Sequence, residues 1–228
     1  MHIKNLLLSG AMALATMGLT TAAHADLVSI GLSQTTGLGS IVNVASGNGG
    51  AVFVGPFGTF DSNIISATGT PPLNEPTLET ASINVASTAT TPQTLYIYIT
   101  EQGLTSLSGI SNLVSGFTSN LFTGAVQSVD EHTFVSATNQ LWTGSPLAST
   151  TFTSAPSSTS VIAASPLLSG PFSETAEFVI HLASGGSIND TINIANPVPE
   201  PTAMALLGTA LIGFGVMRRR KTDQASAA

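Results

Sequence analysis

The chain has 228 residues, 43% of them hydrophobic and only 7% charged, with 22 Gly, 12 Pro and no Cys. Its five basic residues, Lys4, Arg218, Arg219, Arg220 and Lys221, all stand at the two ends, so Asp26 to Pro197 carries ten carboxylates and no Lys or Arg. That body repels phosphate backbones and offers no Arg clamp and no Schiff-base lysine, which argues against nucleic-acid binding and several enzyme classes; the lack of Cys removes disulfides and thiolate chemistry.

The N-terminus reads MHIKNLLLSGAMALATMGLTTAAHADLVS. Lys4 supplies a positive n-region, Leu6 to Leu19 an apolar h-region, and Ala23-His24-Ala25 the small-x-small cleavage signal before Asp26. This is the order of a secretory signal peptide, with residues 1–25 removed on export. His24 leaves with it and is not a site residue.

Residues 26–197 read as strands and turns. LETASINVAS alternates Ala81, Ile83 and Val85 against Ser82, Asn84 and Ala86, the period of a half-buried strand. TLYIYIT, from Thr94 to Thr100, is a β-branched and aromatic run suited to a central strand. Phe172, Ala176, Phe178, Ile180 and Leu182 share one face of FSETAEFVIHLAS, and Ile188, Ile192 and Ile194 one face of SINDTINIAN. VSIGLSQ, AVFVGPFGTF, AVQSVDEHTFVSA and STTFTSA are further predicted strands, separated by turn signals such as Gly47-Asn48-Gly49-Gly50, Pro71-Pro72, Thr91-Pro92 and Gly185-Gly186. LTSLSGISNLVSGF comes nearest to a short helix, and SPLASTTFTSAPSSTSVIAASPLLSGP reads as a loose loop or divider. Many short strands without βαβ alternation predict an all-β fold, an antiparallel β-sandwich with one core.

Catalytic and metal-binding patterns are scarce. His132 and His181 are the only histidines of the body, and a Glu177/His181 pair on the outer face of its strand is conceivable. Asp130-Glu131-His132 crowds three metal-capable side chains, yet strand alternation turns Glu131 away from the other two. No calcium loop, H-E-x-x-H or G-x-S-x-G occurs. The expectation is no catalytic, cofactor-binding or metal site and no cofactor. Any two of the ten acids could still converge as a hydrolytic pair, so a secreted hydrolase stands as the weakest reading. Trp142, Tyr96 and Tyr98 could stack on sugar rings, which makes a carbohydrate-binding module the alternative, although tyrosines on a central strand more often fill the sheet.

The C-terminus places Val198-Pro199-Glu200-Pro201 before an apolar run, Thr202 to Met217, and then Arg218-Arg219-Arg220-Lys221, with Thr222 to Ala228 beyond. As a helix at about 1.5 Å per residue the run covers roughly 24 Å, against about 30 Å of hydrocarbon, so it spans only with help from snorkelling arginines. The basic cluster holds the last residues on the cytoplasmic side and the body across the membrane, the orientation that the signal peptide also demands. Two prolines keep Glu200 extended, a form that a processing enzyme can grip. This order of parts closely resembles the PEP-CTERM sorting signal of Gram-negative bacteria. The pair SINVASTATTPQTLYIYITEQGL also looks like a sandwich hairpin of other PEP-CTERM surface proteins.

The resemblance implies recognition by a membrane-embedded exosortase, transient residence in the inner membrane, and release or transfer to the cell surface or extracellular matrix, often beside exopolysaccharide, biofilm or floc. The expected organisation is a signal peptide (1–25), a β-sandwich surface domain (26–197), a PEP-CTERM signal with one hydrophobic helix (198–221) and a short cytoplasmic tail (222–228). Ala23, Ala25 and Asp26 mark the signal cleavage, Val198, Pro199, Glu200 and Pro201 the sorting motif, and Arg218 to Lys221 the stop cluster.

Overall fold

Strand alternation organises the whole of the described body. The computed structural model describes residues 26–70, 73, 76–105, 112–166, 168 and 170–197. They form twelve strands: β1 (Leu27–Ser33), β2 (Val42–Asn48), β3 (Gly50–Phe57), β4 (Phe60–Thr68), β5 (Thr77–Ser87), β6 (Gln93–Thr105), β7 (Asn112–Thr123), β8 (Val126–Ser136), β9 (Ser145–Phe152), β10 (Ser157–Ala164), β11 (Pro171–Leu182) and β12 (Ser187–Ala195). One 3-10 turn, Leu38–Ser40, lies between β1 and β2.

The strands build two six-stranded sheets, in the orders β2-β1-β6-β11-β8-β9 and β10-β7-β12-β5-β4-β3, and every pairing is antiparallel. We call the first sheet A and the second sheet B. The inner strands of both sheets turn most of their apolar side chains inward. From sheet A come Val28, Ile30 and Leu32, then Leu95, Ile97 and Ile99, then Phe172, Ala176, Phe178, Ile180 and Leu182; sheet B answers with Phe60, Ile65, Leu78, Ile83, Phe117, Ile188, Ile192 and Ile194. Burying a side chain of this size stabilises the fold by about 1.5–3 kcal/mol, which makes this two-layer core the main driving term.

Polar groups inside the layers are placed to close backbone gaps. Between Asp190 and Asn193 the β12–β5 register slips. There the Thr80 hydroxyl accepts from Ile192 N–H at 2.7 Å and donates to Ile192 C=O at 3.0 Å. Ser115 of β7 and Thr133 of β8 share a hydrogen bond of 2.7 Å that links the two sheets. Glycine is required where the crossovers β7–β8 and β11–β12 meet: Gly124 has φ 67°, and a Cβ there would collide with the carbonyl of Gly185.

Three expectations need correction. The residues Asn112 to Phe117 of the suspected helix are strand β7, because Leu113, Ser115 and Phe117 alternate inward with period two. The Ser/Thr-rich stretch foreseen as a loose divider holds β9 and β10, which are edge strands and so have few inward positions to fill with apolar residues. The supposed hairpin of β5 and β6 is a crossover: β5 pairs with β4 and β12 in sheet B, and β6 with β1 and β11 in sheet A. The connecting stretch Thr88–Pro92 carries the chain from one layer to the other instead of folding it back. The predicted signal peptide and C-terminal helix fall outside the described residues. Among the described residues no helix is long and apolar enough to cross a membrane.

Core and edge should respond very differently to truncation. Phe178→Ala, in the fully buried centre of β11, should cost about 3–5 kcal/mol in urea unfolding. Ile162→Thr, on β10 with 67% exposure, should change stability by less than about 0.5 kcal/mol. Similar losses at both positions would contradict this placement of the core.

Candidate functional site

Both ends of the body leave from one pole of the sandwich. β1 starts at Leu27, opposite Gln102 near the end of β6, and Asp26 N–H donates to Thr70 C=O just past the end of β4. At the other terminus Ala195 of β12 faces Thr77 at the start of β5 and Val114 near the start of β7, while Glu79 of β5 pairs with Thr68 of β4 and Asn193 of β12. The segment before Asp26 and the segment after Pro197 therefore depart from the same end. Of the residues expected to direct processing, Asp26 is described; Ala23, Ala25, Val198 to Pro201 and Arg218 to Lys221 lie outside the described residues.

The outer face of sheet A gathers the remaining polar and aromatic candidates. His181 does not pair with Glu177. Its Nε2 lies 3.3 Å from Asp130 Oδ2 across the β11–β8 pairing, and its Nδ1 meets the Thr94 hydroxyl at 2.9 Å. Thr151 donates to the other Asp130 oxygen at 2.6 Å. Glu177 instead neighbours Tyr98, whose phenol is pushed well above its ordinary value by burial first and by Glu177 second. Tyr98 is 7% exposed, and Trp142 meets it edge-on with ring centroids 6.3 Å apart.

The loop that carries Trp142 is fastened down over this face. Ser173 Oγ donates to Gln140 C=O at 2.6 Å, Trp142 N–H to the Thr100 hydroxyl at 3.2 Å, and Gly103 N–H to Asn139 Oδ1 at 2.8 Å. Tyr98 and Trp142 thus cover each other, while Tyr96 is only partly buried. The surface hollow lined by His132, Phe134, Pro146 and Leu147 measures about 280 Å³, and that beneath Glu79, Gly116 and Asn193 about 100 Å³. Both fall short of the roughly 300–1,000 Å³ of small-molecule sites.

The interior holds what sequence reasoning missed. Glu101, Glu131, Glu174 and Asp190 are all fully buried on the core face. Glu101 stands directly opposite Glu174 in the β6–β11 pairing. Glu131 of β8 and Asp190 of β12 interact across the two sheets, and no hydrogen-bond partner reaches the carboxyl oxygens of Glu131, Glu174 or Asp190 among the described residues. The separation of Glu131 from Asp130 and His132 follows the alternation as expected. Among the described residues no group of three or more His, Cys, Asp or Glu is arranged to hold a metal. The missed signal was parity. Glu174 falls in step with Phe172 and Ala176, and Asp190 with Ile188 and Ile192.

Burial disfavours the charged form of each group. Glu131 is pushed up to about 9, by desolvation first and by the charge of Asp190 second. Desolvation raises Asp190 to about 7, opposed by the nearby Ser119 hydroxyl and Asn120 N–H, which favour its anion without reaching hydrogen-bond geometry. Glu174 is raised by complete burial and then by Glu101.

Residues 197–221 match the PEP-CTERM protein-sorting motif, so the chain carries a PEP-CTERM sorting signal at its C-terminal end. No curated protein shows significant similarity to the chain.

The raised acids set a direction for stability against pH. The folded state holds protons that the unfolded state has released above the ordinary values of 4.5 for Glu131 and 3.8 for Asp190. This contribution is complete below about pH 4 and is lost as pH rises towards about 7 for Asp190 and about 9 for Glu131. Each extra proton held is worth about 1.4 kcal/mol per pH unit. Thermal melts should therefore rise steadily from pH 8 to pH 5, and the pair Glu131→Gln and Asp190→Asn should flatten that slope while raising stability at pH 8. A melting temperature that falls on acidification across this range would refute the interior assignment.

Proposed function

We propose, with the sorting motif at residues 197–221 as premise, that the chain is a non-enzymatic protein of the cell surface or extracellular matrix, associated with exopolysaccharide or biofilm. The first 25 residues take it to the membrane and are removed. The tail then holds the body at the outer side of the inner membrane until an exosortase acts on it.

The motif carries this reading, and the body's geometry fits it. Both termini leave at one pole, so a precursor held through its tail presents the rest of the sandwich away from the bilayer. A surface of Ser, Thr and Asn without Lys or Arg suits a hydrated polysaccharide surrounding better than binding to anionic partners. The carbohydrate-binding alternative draws on Trp142, Tyr96 and Tyr98; Tyr98 and Trp142 already meet edge-on, so of the three rings Tyr96 alone is without such a ring contact, which supports this alternative less well.

In this account the extended acidic segment is what the enzyme reads, and the apolar run presents it. Glu200→Ala or Pro201→Ala should leave signal-peptide removal intact and strand the protein in the inner membrane with its tail attached. Deleting Arg218 to Lys221 should weaken orientation, so that unprocessed protein accumulates in other fractions. Intact-mass measurement on each fraction from the native host distinguishes these forms. Surface protein whose mass still includes Thr202 to Met217 would rule the proposal out.

A further inference from the structure

Each sheet ends in two edge strands, and none of the four carries a charge. β2 and β9 bound sheet A, β3 and β10 bound sheet B, and no Asp, Glu, Lys or Arg occurs in any of them. Edge strands present unpaired backbone N–H and C=O groups, which proteins ordinarily guard with charges, prolines or bulges. Three of these edges have such a guard. The β1–β2 pairing slips between Ile30 and Gly31, and the β3–β4 pairing between Phe53 and Gly55, next to Pro56. The β8–β9 pairing slips between Thr133 and Phe134, opposite Pro146.

β10 has none. Its residues Ser157–Ala164 pair with β7 from Ser119 back to Asn112 without a slip, and the strand contains neither Pro nor Gly. Its free edge meets no strand among the described residues. Every residue of β10 except Ala163 is exposed, so neither face of the strand is covered. Val161, 37% exposed, stands beside Ser115 on the inward face of sheet B, and Ile162, 67% exposed, beside Val114 on the outward face.

The charge of the body decides what can come to this edge. From His132 to Ser173 the chain holds no Asp, Glu, Lys or Arg, and β7 holds none either. That stretch includes β9, which lies against β10. The side is therefore neutral on a body that carries ten carboxylates and no Lys or Arg. Two copies of so acidic a body repel each other where their carboxylates meet, but not here. A basic partner, by contrast, is drawn to the carboxylates and away from β10. What fits a flat, uncharged edge is another such edge, and every copy of the chain brings one.

We propose that β10 is a self-association surface, to which a second copy of the chain adds its own β10 antiparallel, so that sheet B runs on through both bodies. A closed pair of like surfaces has a two-fold axis. For the inward face to continue from one copy into the next, residues of the same parity must stand opposite each other. The axis then passes through a residue, and that residue faces its own copy. Val161 and Ile162, the two large apolar side chains of the strand, mark where it passes.

The chain has no Cys, so a single introduced thiol forms a disulfide only with a second copy. Directly opposed residues of an antiparallel pair have Cβ atoms about 4.5–5.5 Å apart, close to the reach of a disulfide. Protein purified from its native host should pass from monomer to dimer between about 1 µM and about 1 mM in sedimentation equilibrium. Ile162→Glu sets two carboxylates beside the axis and should raise the dissociation constant at least ~10-fold. Under mild oxidation Val161→Cys or Ile162→Cys should give covalent dimer at least ~10-fold faster than Val52→Cys, which is 58% exposed on β3.

The measurement on the unsubstituted protein needs no variant to fold. Protein that stays monomeric up to about 1 mM would overturn the proposal, whether β10 is left bare or covered by another segment of the chain. A dimer that Ile162→Glu leaves intact, and that neither β10 thiol captures faster than Val52→Cys, would place the contact elsewhere and overturn it as well.

Discussion

A body without a single Lys or Arg cannot bury a carboxylate against a side-chain ammonium or guanidinium, and this one buries several. In most proteins a buried acid is tolerated because a fixed cation or a set of donors lies beside it. Here the sandwich keeps Glu131 and Asp190 facing each other across its two layers, and Glu101 against Glu174 within one. Such pairs cannot both ionise in a medium of low dielectric, so at least one member of each holds a proton. Other buried polar groups include neutral hydroxyls: Ser115 on Thr133 between the sheets and, beneath the loop of Trp142 on the outer face of sheet A, Thr100 on Thr175 at 2.8 Å. The core is therefore an apolar two-layer packing threaded by protons and hydroxyls.

That constraint ties the body to its two ends. All the fixed positive charge in the chain sits at its two ends, outside residues 26–197, and the body is left with none. Both ends of the described body lie at one pole of the sandwich, so the sorting motif at residues 197–221 follows directly from that pole. The outer face of sheet A carries the His181–Asp130 pair and the fastened loop of Trp142.

Much of this was legible from residues alone. Period-two alternation names the inward faces of β11 and β12 correctly; in β5 it holds for Ile83 and Val85 but not for Ala81, which a register shift in the β4–β5 pairing leaves exposed, and the run around Tyr96 and Tyr98 is an interior strand of sheet A. The tail was legible because its information is linear: a Pro-Glu-Pro motif, an apolar run and a basic cluster need no fold to be recognised. Of the two edge strands, β9 is anticipated in part by STTFTSA, whose residues 149–152 lie in it, whereas nothing marks β10, because hydrophobicity reports burial and edges bury little. β5 and β6 were joined as a hairpin because alternation says which face is apolar and not which sheet a strand enters. Glu174 and Asp190 were passed over through their charge, although their spacing from Phe172 and Ile188 already placed them inside.

The central claim is that inward carboxyl groups keep protons at neutral pH for want of a fixed cation. Side-chain carboxyl chemical shifts in isotope-labelled protein, followed from pH 3 to pH 10, measure this directly and residue by residue. The account predicts that Glu131 stays protonated through pH 7 and titrates near 9, that Asp190 titrates near 7, and that the Glu131 signal is lost in Glu131→Gln. Ordinary titration of every carboxyl group of the folded protein below about pH 5 would contradict it.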